Sequence, residues 1–150
     1  MATRTYTSRR ANLLKAIAEK LKDIDGSGAF LTDLQNNVHA RLKFWDEVDE
    51  FPALHLNAGS ETRQYQAGGY KDRFLSITIR CYVSDEDAVN ALDELLEDVE
   101  TVIEENSQLT YKDRNNADQH THQITVVSID TDEGVLEPLG VGEMLIEVRY

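Results

Sequence analysis

His120 and His122 stand two residues apart, and on an extended strand such a pair faces one side. Two imidazoles so placed can share a zinc ion if a third ligand, His39 or His55, reaches them. A histidine pair in a polar loop with no metal is the plainer reading. Residues 130–134, "DTDEG", open like a calcium loop. Gly134 falls where the fifth-position ligand belongs and no twelfth-position Glu follows, so the stretch reads as a turn. Cys81, the single cysteine, sits mid-strand on an apolar face, where burial raises a thiol's pKa and quenches its reactivity. No phosphate-binding loop, dinucleotide turn or G-x-S-x-G elbow occurs. These residues assign no catalytic role, no metal and no cofactor.

Charge says more. The net charge of −13 argues against gripping nucleic acid phosphates, which needs basic patches. The distribution is uneven. Residues 1–22 hold Arg4, Arg9, Arg10, Lys15, Lys20 and Lys22 against Glu19 alone, +5, which leaves −18 on the other 128 residues. A basic end on an acidic body can steer self-association; it can equally be a solvated helix face. From Asp85 to Glu105 there are ten acids and no Lys or Arg. Like charges four apart on a helix repel. That face is either a solubilising surface or one that repels DNA or meets a basic partner.

The elements that must position these groups follow from periodicity. Ser8 can cap a first helix carrying Leu13, Leu14, Ile17, Leu21 and Ile24, with Gly26 as its stop. Residues 25–37 read as a loop anchored by Phe30, Leu31 and Leu34. Residues 38–48 read as a strand ending in a turn. Ala53 to Ala58 is a short strand, after Pro52 has held Phe51 extended. Asn57 to Asp72 is almost wholly polar or glycine, a hairpin with a long polar tip. Arg73 to Val83 alternates strictly, with Leu75, Ile77, Ile79, Cys81 and Val83 on one side.

Ser84 and Asp87 make a capping box for a second helix. Its apolar stripe is Ala88, Val89, Leu92, Leu95, Leu96, Val99, Val102 and Ile103. Residues 107–120 show no period and read as a contact loop or disordered arm. Strands over 122–130 and 143–150 close the chain, with Tyr150 pinned in the sheet. At 150 residues one domain over 1–150 is expected. The fold class is α+β: a mostly antiparallel four- or five-stranded sheet with two amphipathic helices packed on one face. No apolar run is long enough for a membrane span, no secretory signal is evident, and a lone cysteine suits a reducing compartment.

Taken together, "WDEVDEFPALHLNAGSE" with its Gly-Gly tip, "FLSITIRCYV", "SDEDAVNALDELLEDVETVI" and "GEMLIEVRY" resemble the tail terminator, or tail completion, proteins of long-tailed bacteriophages. The "FPAL" turn and the closing strand ending in Tyr150 carry most of the likeness, which runs from about Ser8 to Tyr150. The resemblance implies a virion protein without catalysis or cofactor. It implies a homo-hexameric ring on the head-proximal end of the tail tube, assembled in the host cytoplasm. Such a ring stops polymerisation of the tail tube protein and offers a surface to the head completion or connector protein. Double-stranded DNA passes through without specific binding. On that implication Arg9, Arg10, Arg63, Tyr65, Tyr70 and Lys71 are candidate interface residues, and Glu94, Glu97, Asp98 and Glu104 candidate lumen-facing acids. Another neck, head-completion or tube protein, or a small dimeric cytoplasmic α+β binding domain with an apolar pocket, remains as an alternative.

Overall fold

A computed structural model describes residues 6–150; Arg4, counted above in the basic end, lies outside them. Helix α1 spans Arg9–Leu21, and the Ser8 hydroxyl accepts from the Ala11 N–H, as its position predicts. Strand β1 (Val38–His39) and a 3₁₀ turn (Trp45–Glu47) lead to β2 (Ala53–Tyr65) and β3 (Lys71–Ser84). Helix α2 (Ala88–Glu105) precedes β4 (Thr110–Lys112), β5 (Asp118–His120), β6 (Gln123–Thr131) and β7 (Leu139–Arg149). Five strands form one sheet in the order β1-β2-β3-β7-β6; β4 and β5 pair separately. Only the β1–β2 pair in the large sheet is parallel. The expected α+β class holds.

The register shows why one face is core. Leu56, Ile79, Met144 and Ile129 stand opposite one another across four strands, as do Ala58, Ile77, Ile146 and Val126. Facing residues on adjacent strands share a side of the sheet. Both helices lay their apolar stripes on this side: Leu13, Ile17 and Leu21 from α1, and Leu92, Leu95, Val99 and Ile103 from α2, belong to one buried cluster with the strands. Each such aliphatic side chain contributes about 1.5–3 kcal/mol by leaving water. Helix α2 comes close to β7 because Gly140 and Gly142 lie beneath it. A Cβ on Gly140 would stand 2.7 Å from Val83 Cγ2, and one on Gly142 3.1 Å from Leu92 Cδ1.

Several local expectations change. Strand β2 runs to Tyr65, not Ala58, because its polar half is held by pairing with β3 and not by burial. Helix α2 is capped by the Asp87 carboxylate, which accepts from the Asn90 N–H, while Ser84 ends β3. Val89 is outside the core, 44% exposed. Helix α1 stops at Leu21 with Lys22 as C-cap, so Gly26 is not its stop. Gly26 instead occupies a positive-φ turn between the bridged Asp25 and Asp33. Of the three loop anchors, Leu34 is buried and Phe30 packs on the core, but Leu31 points outward.

Residues 107–120 are not a disordered arm. They form the β4–β5 hairpin, with Leu109 and Tyr111 buried. The Asp113 carboxylate accepts from the Asn115 and Ala117 N–H groups and from the Gln119 amide. Thr7 and Asn12 tie the hairpin to the start of α1 through the Asp113 and Lys112 carbonyls.

Candidate interaction surface

The polar hairpin is a two-stranded ribbon that outruns the sheet. Strand β7 ends opposite Phe74, with Tyr150 and Arg73 exchanging one further pair of backbone hydrogen bonds. Beyond them Gln64 faces Asp72 and Tyr65 faces Lys71, with no third strand beside β3 among the described residues. At ~3.4 Å per residue the free part, with its turn, reaches on the order of 10 Å past the sheet. The turn is closed by the Gln66 N–H donating to the Tyr70 carbonyl at 2.7 Å. Gly68 and Gly69 take φ of 83° and 84° there, a region that suits glycine.

The root of the ribbon is clasped. A one-residue bulge falls between Ala58 and Glu61, and the Arg10 guanidinium donates to the exposed Gly59 carbonyl inside it. The Glu61 carboxylate receives the Tyr150 hydroxyl on one oxygen and the Arg63 guanidinium, at 2.9 Å, on the other. Arg73 lies over the Tyr150 ring at 5.8 Å, and Tyr111 meets it edge-on. Burial works against a charged Glu61, but the bonds from Tyr150 and Arg63 and the charges of Arg63 and Arg10 outweigh it. Its carboxyl is therefore held below the ordinary range. Burial, followed by the Glu61 bond and charge, pushes the Tyr150 phenol the opposite way, upward.

Five of the six candidate interface residues thus gather on or against one ribbon. Arg10 and Arg63 are engaged at its root. Tyr65 and Tyr70 flank the turn, 73% and 75% exposed, and Lys71 lies 5.9 Å over the Tyr65 ring. Arg9 is half-buried in the first turn of α1, away from the tip. Among the candidate acids, Glu97 and Glu104 are exposed, and Glu94 is half-buried and accepts from the Asn90 amide at 3.2 Å. Asp98 is a correction. It is 2% exposed and takes the Leu31 and Thr32 N–H groups and the Thr32 hydroxyl. It latches the loop before β1 onto α2 and does not face out of the subunit.

The histidines do not converge. His39 and His55 stack, centroids 5.0 Å apart, at the β1–β2 edge, whereas His122 leads into β6 at the other edge of the sheet. His120 Nδ1 sits 3.0 Å from the Thr110 hydroxyl. Among the described residues no three His, Cys, Asp or Glu side chains group as metal ligands. Cys81 is fully buried and burial pushes its thiol up to about 12. A cleft of about 420 Å³ is walled by His39, Arg41, Lys43, Asp49, Glu50 and His55, a polar lining unlike the apolar pocket a small-ligand domain would offer. Among the described residues no helix is long and apolar enough to cross a membrane. Neither the Glu61–Tyr150 clasp nor the Asp98 latch is visible to sequence reasoning, since each joins residues distant in the chain.

The chain superposes on one from the virion of the native gene transfer agent (GTA) particle with a TM-score of 0.63 at 10% identity, covering 94% of this chain and 96% of that one. That likeness concerns the fold alone. The sequence goes further: the family model for the Bacteriophage Tail Tube Terminator Protein matches residues 7–150. The chain is also 31% identical over 149 residues to the tail tube terminator protein p142 of Escherichia phage T5, covering 94% of this chain and 92% of that protein. This chain belongs to the bacteriophage tail tube terminator family, as its resemblance implied. It is a structural protein of a phage tail, not an enzyme.

Proposed function

We propose that this chain, acting as one domain over 1–150, forms a hexameric ring on the head-proximal end of the tail tube. The ring halts tube polymerisation, offers the surface to which the head's connector docks, and lets DNA pass through its centre. The ribbon is the contact arm of that ring. The supporting observation is its build: a root fixed by Glu61, Tyr150, Arg63 and Arg10 and a tip carrying two exposed tyrosines. A pre-ordered arm loses little conformational entropy on docking, and tyrosine is enriched in contact cores. Exposed acids of the ring are proposed to border the DNA path, where like charge prevents sticking.

The test is to add the purified protein to polymerising tube protein and measure tube lengths. The expected result is arrested growth at one tube end, with bound protein at that end only. Undiminished growth, with no protein at either end, would contradict the proposal.

A further inference from the structure

The two lateral flanks of the subunit carry opposite charge. Helix α1 packs at the β1–β2 side of the sheet and α2 over β3, β7 and β6, so each helix borders a different sheet edge. Between α1 and β1 lies a groove of about 260 Å³ with an apolar floor of Ala18, Val38 and Ala40. Its rim carries Lys15, Lys22 and Arg41 against one acid, Glu19, which pairs with Lys22 at 2.8 Å. Lys15 and Arg41 pair with no described carboxylate.

The other flank carries acids and no Lys or Arg, with Val89, Val127 and Ile129 exposed beside them. Asp93 lines a shallow cleft with Asp132 and Glu133 of the turn after β6. On a helix of 3.6 residues per turn, Glu100 falls on the same side of α2 as Asp93. Neither α2 nor residues 123–142 contain a Lys or Arg, and none of the ion pairs among the described residues involves an α2 side chain. The repulsion along this face is therefore not relieved by any ion pair among the described residues.

A closed ring needs two different, complementary patches on each subunit, so that the front of one meets the back of the next. We infer that the basic α1–β1 groove of one copy receives the acidic α2–β6 flank of a second copy. Lys15 and Arg41 then face Asp93 and Glu100 of the neighbour. This inference rests on the ring proposed above and assigns its lateral interface. Exposed ion pairs are individually weak. A row of them fixes orientation and partner choice and speeds encounter.

Charge reversal tests it, because in a homo-oligomer both patches belong to one chain. Lys15→Glu with Arg41→Glu, or Asp93→Lys with Glu100→Lys, is expected to raise the protein concentration for half-maximal tube capping on the order of tenfold or more. All four changes in one chain restore complementarity and are expected to recover capping. Melting temperatures of the variants separate lost pairing from lost folding. In assembled wild-type caps, zero-length carbodiimide coupling is expected to join Lys15 to an α2 carboxylate of another copy.

Wild-type caps that yield only the within-subunit links Lys22–Glu19 and Lys112–Asp118, with both reversed variants capping normally, overturn the assigned interface and leave the ring standing. A wild type that caps no tubes overturns the ring and this interface together.

Discussion

The Tyr150 hydroxyl donates to the Glu61 carboxylate across 89 positions of sequence, fastening the closing strand to the root of the projecting ribbon. Glu61 also holds Arg63, so one side chain joins ribbon and sheet. Tyr150→Phe is expected to cost about 1.5–3 kcal/mol, the range for a hydrogen bond to a charged group. Hydrogen exchange should quicken at the ribbon amides between Glu61 and Asp72 and not in the central strands. Unchanged exchange in the ribbon would mean that the bond does not hold the arm.

The tip should matter for contact and not for folding. Tyr65 and Tyr70 are largely exposed, so Tyr65→Ala with Tyr70→Ala should leave the melting temperature within about 1–2 degrees, as for surface changes of under ~0.5 kcal/mol. The double variant should cap tubes poorly. Normal capping would remove the ribbon from the interface.

Under α2 the opposite pattern is expected. Leu92→Ala or Leu96→Ala should cost about 2–5 kcal/mol by leaving a cavity, since both are buried. Gly140→Ala should cost about 1–3 kcal/mol by overpacking, because its Cβ would meet Val83 at 2.7 Å. Urea midpoints check all three. A midpoint unmoved by Leu92→Ala would mean that α2 is not packed on the sheet as described.

How much of this was legible in sequence depends on what holds each element. Strand β3 announces itself because Leu75 to Val83 alternate against a core, and α2 because Leu92, Leu95, Leu96 and Val99 share a stripe. The far half of β2 does not, since Thr62 to Tyr65 are held only by their partners on β3. Asp98 reads as one more acid on an acidic helix. Its burial arises when the 31–32 backbone returns across α2 and supplies donors. The β4–β5 hairpin hides for the same reason: Tyr111 and Asp113 are ordered by α1 and by a local turn, and neither leaves a period.

Acid should weaken the β1 edge. Burial, aided by the charges of His39, Lys43 and Arg41, holds His55 below its usual 6.5 despite its bond to the Arg41 carbonyl. The folded chain then binds this proton less readily than the unfolded chain. Its contribution to stability is full above about pH 6.5 and falls as the pH drops from there through the folded pKa. The urea midpoint should fall between about pH 7.5 and 5.5, and by less in His55→Asn. Equal losses in both proteins would assign the effect to other groups.

The most direct test of the account is negative-stain imaging of purified tail tubes with and without the protein. Closed six-fold rings, one at the head-proximal end of each tube and none along its length, are the expected result. A compact dimer that leaves tube ends bare, or protein stacking on into extended tubes of its own, would contradict it.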